Sequence, residues 1–203
     1  TDAFNHAEYD RVLKLWQSLP PETTASKSLI RLAFQSSLKL GRPEEALALY
    51  QRLVPADQPD DPGLLRPLAL SFLTSHVRDS QEYVRIAAYT VLAELGLAET
   101  QAVLEDGLLD ASVLVRARAA DAIGKAGLAG KSGPLRRALN DAMPAVRIAA
   151  MTALSEAHVA DIMPSLIEIA RTDDGPEALF AAAALYRLGK QDMLTDITGA
   201  ATL

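Results

Sequence analysis

The stretch Val-Arg-Ile-Ala-Ala occurs twice, at residues 84–88 and 146–150, and Val-Arg-Ala-Arg-Ala stands midway between them at 115–119. The three copies are therefore 31 residues apart. A fixed period of this length is typical of repeat architectures, in which each repeat is one supersecondary unit that buries its apolar face against its neighbours. The period thus predicts a chain built from successive similar units.

Apolar positions follow the same period and define one face of a helix. One set of equivalent positions is always alanine, at Ala88, Ala119, Ala150 and Ala181. A second set, four residues later, is always Leu or Ile, at Leu92, Ile123, Leu154 and Leu185. The next turn adds the column Leu95, Ala126, Ala157 and Leu188. Spacings of four and three residues place these positions on one helical face. Gly96, Gly127 and Gly189, with His158 in the third unit, follow where a left-handed residue ends a helix. Second apolar segments at 99–109, 132–140 and 162–171 make each unit a helix pair.

A charged pair recurs in register with the apolar positions. Its members are Asp79 and Arg85, Asp110 and Arg116, and Asp141 and Arg147. Each Asp falls in a turn and each Arg opens the following helix. Stacked units would bring the Asp of one unit to the Arg of an adjacent one, where a charge-assisted hydrogen bond forms. The pattern predicts a ladder of such Asp–Arg pairs that joins successive units. The alternative interpretation is that each Asp caps a helix and each Arg is an unrelated surface residue.

Residues 64–189 resemble the short form of the HEAT repeat, because the valine–arginine pair, the alanine, the branched position and the closing glycine agree together. The fourth unit departs from this pattern. It has Thr172, Glu177 and Ala178 where the earlier units have Asp, Val and Arg. We therefore expect this unit to end the ladder or to pack differently.

The first 55 residues follow another period. Residues 7–19 align with 41–53 at an offset of 34, and 28–40 reads as an amphipathic helix before Gly41 and Pro43. The segment Gly-Arg-Pro-Glu-Glu-Ala-Leu-Ala-Leu-Tyr after such a helix resembles a tetratricopeptide repeat. The two resemblances imply an all-α, right-handed α-solenoid of about ten or eleven helices. Residues 1–55 would be tetratricopeptide-like, 56–63 a Pro/Asp/Gly linker, and 64–203 the HEAT-like array, ending in a single helix at 190–203.

Composition limits the classes of function. The chain has no cysteine, which excludes disulfides and thiolate metal sites. Its net charge of −6 lies entirely in residues 79–203, because residues 1–78 carry nine acidic and nine basic groups. Nucleic-acid binders gain affinity from a basic face, so this balance argues against them. No apolar run is long enough to span a membrane. We expect a soluble chain, either cytoplasmic or exported, whose oligomeric state stays open.

The sequence offers little basis for catalysis. His6, His76 and His158 show no metal-ligand spacing, and acidic pairs such as Asp60–Asp61 stand beside Pro or Gly, where Asp caps helices. Neither a phosphate-binding loop nor a buried pair of carboxylates is indicated. We therefore expect no enzyme activity and no cofactor.

The best candidate site lies on the helix predicted at 28–40. Lys27, Arg31, Gln35 and Lys39 recur every four residues and form one polar stripe with three positive charges. By resemblance, Ser28, Arg31, Gln35 and Lys39 fall where tetratricopeptide arrays hold peptides. An acidic segment or a terminal carboxylate would suit such a stripe. The alternative interpretation is a solvated helix face.

A second candidate is the face of the HEAT-like second helices that, by resemblance, lines the concave side. Its variable positions are Tyr89, Thr90, Asp121, Met151 and Thr152. Tyr and Met side chains there would anchor a partner, although packing against a neighbouring helix explains them equally well.

These observations favour a scaffold or adaptor that holds a segment of another protein on its concave surface. Two other classes share the repeat. Phycobilin lyases contain similar HEAT-like subunits, but the residues for bilin chemistry cannot be located in this sequence. HEAT-like glycosylases act on DNA through a basic, aromatic face, which suits the acidic half of this chain least.

Overall fold

The structure is a computed structural model of the 203-residue chain, and it describes residues 2–20, 23, 26–172 and 175–190. These residues form eleven α-helices and no strand, which confirms the all-α expectation. The chain divides into two compact units, Thr1–Arg78 and Asp79–Leu203. The helix expected at 190–203 lies outside the described residues, apart from Lys190.

The first unit contains four helices, namely α1 (Asp2–Ser18), α2 (Lys27–Lys39), α3 (Pro43–Leu53) and α4 (Pro62–His76). Local sequence explains where the last two begin. Pro43 and Pro62 occupy the first helical position, where proline's fixed φ is favourable and its missing N–H costs nothing. The carboxylate of Asp61 accepts a hydrogen bond from the Gly63 N–H and so caps α4. Residues 54–61 form the loop between α3 and α4.

Helix α4 belongs to the core of the first unit. Leu68 is buried with Phe34, Leu49 and other side chains of α1 to α3, and Leu64 and Phe72 pack against the same cluster. The sequence assigned 64–76 to the 31-residue array, with the boundary at 56–63. The structure groups this helix with α2 and α3 instead, and the division between units follows Arg78. The physical reason is that the apolar face of α4 completes a core that three helices leave open.

The second unit alternates long and short helices. The long ones are α5 (Glu82–Leu95), α7 (Val113–Lys125), α9 (Pro144–Glu156) and α11 (Pro176–Arg187), and the short ones are α6 (Gln101–Asp106), α8 (Gly133–Arg137) and α10 (Met163–Thr172). Short 3-10 turns flank them at Ala98–Thr100, Gly107–Leu109, Ala129–Lys131, Ala138–Asn140 and Ala160–Ile162. The second apolar segments predicted at 99–109, 132–140 and 162–171 are therefore helical. Each long helix packs against the next one along the chain.

Two columns of the predicted face are buried in the second unit, whereas the column that begins at Leu95 is not, since Leu95 itself is 45% exposed. The four alanines of the column are at most 5% exposed, and Leu92, Ile123, Leu154 and Leu185 are fully buried. Small side chains let neighbouring helix axes approach closely. Gly124 shows how closely, since a Cβ added there would lie 2.7 Å from the Cβ of Ala153 on the next long helix. The alanine and glycine positions therefore set the spacing of these helices.

The long helices end in a left-handed residue, as predicted. Gly96, Gly127 and Gly189 have positive φ, and His158 takes the same conformation with φ of 53°. A residue with a Cβ pays about 1–2 kcal/mol to adopt that conformation, whereas glycine does not. The third 31-residue repeat thus contains a strained residue at a position where the other three repeats have glycine.

Replacing His158 with glycine should raise the free energy of unfolding by about 0.5–1 kcal/mol. The gain is smaller than the strain relieved, because glycine also makes the unfolded chain more flexible. The imidazole is exposed, so little packing is lost. Urea unfolding measures the change. Gly127→Ala is the matched control, since nothing lies within 4 Å of its added Cβ and it should be destabilising. A His158→Gly protein no more stable than wild type would contradict this account.

Candidate ligand site on helix α2

The predicted polar stripe lies on one exposed face of α2. All five candidate side chains are exposed, namely Lys27, Ser28, Arg31, Gln35 and Lys39. The opposite face buries Ile30, Ala33 and Phe34 against α1, α3 and α4. Because a buried face anchors the helix on one side, the polar face is held outward in a defined orientation.

A cavity of about 530 Å³ lies at the N-terminal end of this face. Lys27, Ser28 and Arg31 line one side of it, and the loop between α3 and α4 lines the other, together with Leu53 and Leu64. Gln35 and Lys39 are not among the lining residues. The structure thus divides the stripe into a half that opens into the cavity and a half on the open helix surface.

Two carboxylates of the loop reach the cavity, and both are held by hydrogen bonds. Asp60 accepts a hydrogen bond of 2.7 Å from the Tyr50 hydroxyl, and that bond raises the pKa of Tyr50. Asp61 accepts from the Gly63 N–H at 2.9 Å. The sequence indicated only helix caps for this acidic pair. The sequence around this pair does not indicate that the loop lies beside α2, because the position of the loop depends on how α3 and α4 pack.

The ladder residues of the second unit are joined by hydrogen bonds from one long helix to the turn that precedes the next. Arg116 donates from Nε and Nη2 to the two carboxylate oxygens of Asp141, at 2.9 and 3.0 Å. Its Nη1 donates to the backbone carbonyl of Asp110 at 2.9 Å. Arg85 repeats this geometry on Asp110 and on the carbonyl of Asp79. Every Arg therefore ties its own turn to the next one.

These contacts shift the pKa values of both partners. The hydrogen bond from Arg116 is the main cause that lowers the pKa of Asp141, and it outweighs the opposing effect of burial. For Asp110, burial has the largest single effect and raises the pKa. Hydrogen bonds from Arg85 and from the Ser112 N–H together reverse it, so the pKa is lowered. Both carboxylates are accordingly stabilised in the charged form.

The fourth 31-residue repeat continues the ladder by one step, with a glutamate in place of the aspartate. Arg147 donates from Nε to Glu177 at 2.6 Å, and its Nη2 contacts the other carboxylate oxygen. Glu177 is the second residue of α11 and is only 7% exposed. Glu177, from inside the helix, thus takes the role that Asp110 and Asp141 have in the earlier steps, whereas Thr172 stands at the aligned turn position. Ala178 stands at the position of the next Arg, so the pattern goes no further in the described residues.

The second set of candidate residues divides into two buried side chains and three partly exposed ones. Tyr89 and Met151 are buried at 2% and 0% exposure, so they are core side chains and do not face a partner. The Thr90 hydroxyl donates to the carbonyl of Ile86, and the carbonyl of Thr152 accepts from the Ser155 hydroxyl. Packing between long helices, the alternative that the sequence left open, accounts for Tyr89 and Met151.

Asp121 is the one charged member of that set, and it is partly exposed. Its carboxylate binds Arg118 at 3.1 Å and Lys125 at 2.9 Å, both on its own helix. Surface pairs of this kind add little stability, and here they neutralise the group.

The described residues contain neither a metal-binding cluster nor a membrane-spanning helix. They hold no cluster of three or more His, Asp or Glu side chains placed to bind a metal ion. No helix in the described ranges has the length and apolarity needed to cross a bilayer.

Comparison with known proteins adds no relative from which a role could be carried over. No protein-family model matches this chain. A search of curated proteins finds no significant match either. The site is therefore interpreted from its own geometry.

Proposed function

We propose that this protein is a non-catalytic interaction scaffold and that the polar face of α2 binds a segment of another protein. The observation that carries the proposal is the cavity of about 530 Å³ that Lys27 and Arg31 line. Both belong to a helix whose opposite face is buried. Ligand sites are concave, with apolar walls and a few convergent polar groups. Leu53, Val54 and Leu64 supply such a wall.

The proposal includes the repeat architecture. The long helices of the second unit would be successive HEAT-like repeats of a right-handed α-solenoid, and the first unit would be tetratricopeptide-like. Support comes from the 31-residue period, from the packing of each long helix on the next, and from the ladder that joins them. Stacked repeats present long binding surfaces without requiring any catalytic group.

Affinity capture with a charge-reversed variant tests the proposed site. Wild type and Arg31→Glu/Lys39→Glu would be used side by side on lysate of the source organism, and captured proteins identified by mass spectrometry. Both side chains are exposed, so the reversal should leave the fold intact, as circular dichroism can verify. We expect at least one partner to be captured by wild type and lost from the variant, since like charges across an interface are unfavourable.

A matched control separates the site from net charge. Arg11→Glu/Lys14→Glu makes the same change in charge on α1, where both side chains are exposed and Lys14 only pairs with Asp10 at the surface. This control should retain the partner. If the α2 variant retains every partner of the wild type, the α2 face is not the site. If wild type captures nothing, the scaffold proposal fails.

A further inference from the structure

We infer that the segment bound at the α2 cavity carries charges of both signs, with an acidic group at Lys27 and Arg31 and a basic group at Asp60. This rests on the proposed function and names the chemistry of its ligand. It also replaces the purely acidic ligand that the stripe suggests when read alone.

Charged side chains of both signs line the cavity without pairing with each other. Lys27 and Arg31 line it together with Asp60 and Asp61. Within the described residues, no ion pair of 4.0 Å or less involves any of these four side chains. Opposite charges are thus present in equal number but remain apart. A ligand that brings a carboxylate and a cation would pair with both sides, whereas an acidic one would meet repulsion from the loop.

The N-terminus of α2 indicates where the acidic group binds. Ser26 precedes the helix but makes no side-chain capping bond, and the first turn holds no acidic residue. The positive end of the helix dipole and its first N–H groups therefore lie beside Lys27 and Ser28 at the cavity edge. The cationic side chains of Lys27 and Arg31 line the same part of the cavity and also favour an acidic group there.

The loop carboxylate indicates where the basic group binds. One oxygen of Asp60 accepts from the Tyr50 hydroxyl at 2.7 Å, which orients the carboxylate. Its second oxygen has no hydrogen-bond donor among the described residues. A lysine or arginine of the ligand would supply that donor, with a charge-assisted hydrogen bond.

Apolar residues line the cavity together with the charged ones. They include Leu53, Val54 and Leu64, so an apolar side chain of the ligand would contact them. The volume of about 530 Å³ lies within the range of ligand pockets, roughly 300–1,000 Å³. The occupant that fits is a short peptide segment with an acidic, an apolar and a basic residue in succession.

Synthetic peptides test this charge pattern directly. The probes are hexapeptides with capped ends and a central leucine, flanked by Glu and Lys in either order, by two Glu, by two Lys, or by two Gln. Dissociation constants come from fluorescence anisotropy at fixed ionic strength. We expect one mixed-charge peptide to bind about fivefold more tightly than the two-Glu peptide, the effect of one partly exposed ion pair.

Two conservative variants assign the charges. Asp60→Asn still accepts from the Tyr50 hydroxyl but loses the charge, so it should abolish the advantage of the mixed peptide. Arg31→Gln should weaken the mixed and the two-Glu peptides alike. Lys39→Gln, outside the cavity, should change the preference least.

The outcomes separate this inference from the proposed function. Tighter binding of the two-Glu peptide, an Asp60→Asn protein with unchanged preference, or no binding of any probe would each overturn the mixed-charge ligand. Partner capture that depends on Arg31 and Lys39 would still support the α2 site in those cases. Loss of that dependence would overturn the site itself.

Discussion

Replacing Arg116 with methionine should lower the free energy of unfolding by about 2–4 kcal/mol. The side chain is only 15% exposed and makes two hydrogen bonds to the Asp141 carboxylate and two to backbone carbonyls. Removing it leaves a largely buried carboxylate with a single N–H donor, from Met143. An uncompensated charge of this kind is more costly than the net value of the pair.

A neighbouring arginine on the same helix provides the control. Arg118 is 38% exposed, and its ion pair with Asp121 lies at the surface, so Arg118→Met should cost less than about 1 kcal/mol. Urea unfolding followed by circular dichroism compares the two. Adding Asp141→Asn to Arg116→Met should recover part of the loss, because no unpaired carboxylate remains. Equal effects of Arg116→Met and Arg118→Met would show that the ladder contributes no special stability.

The free energy of unfolding of wild type and that of Arg116→Met should also depend differently on pH. The folded-state pKa of Asp141 is lowered, mainly by Arg116, so its contribution is present above the unfolded pKa of about 4 and is lost as pH falls through the folded value. In Arg116→Met the main cause of the lowered pKa is absent, whereas burial still favours the protonated carboxyl. The stability gap between wild type and variant should therefore narrow below about pH 4. A gap that stays constant would exclude an electrostatic origin.

Replacing Gly124 with alanine should cost about 1–3 kcal/mol. The added Cβ would lie 2.7 Å from the Cβ and 3.2 Å from the Cα of Ala153, and Ala153 is buried on the neighbouring helix. Alanine is the better helix former by about 1 kcal/mol, so any loss must come from overpacking between α7 and α9.

Moving the methyl group across the interface tests this cause. Gly124→Ala combined with Ala153→Gly relieves the closer of the two contacts and should recover a large part of the loss. Gly130→Ala is the control, because its added Cβ would meet nothing within 4 Å. The measured quantity is again the urea midpoint. A Gly124→Ala protein as stable as wild type would mean that the two helices do not approach as closely as the structure places them.

The helices and the buried face of the second unit were predictable because they depend on local pattern. Apolar residues at spacings of four and three define a helical face wherever they occur, and Ala119 and Ile123 are buried accordingly. Helix ends follow from single residues in the same way, since glycine adopts positive φ without strain. His158 is an exception to this rule, because its backbone keeps the positive φ of the other repeats in the absence of glycine.

The candidate site was predictable only in part. Repetition every four residues correctly put Lys27 and Arg31 on one exposed face. The carboxylates opposite them were not predictable as part of a site, because Asp60 belongs to a loop whose course depends on the packing of α4. The assignment of α4 to the first unit and the replacement of a turn Asp by Glu177 likewise depend on contacts between residues distant in sequence.

The sequence by itself therefore determined that this protein is all-α, where most of its helices begin and end, and which side of each long helix of the second unit is buried. These properties arise from interactions within one helix and from its amphipathic pattern. Only the tertiary structure decided which helices share a core, which acid meets Arg147, and which charges surround the cavity. Those depend on side-chain reach and close packing between separate segments, and they carry no periodic signal in the chain.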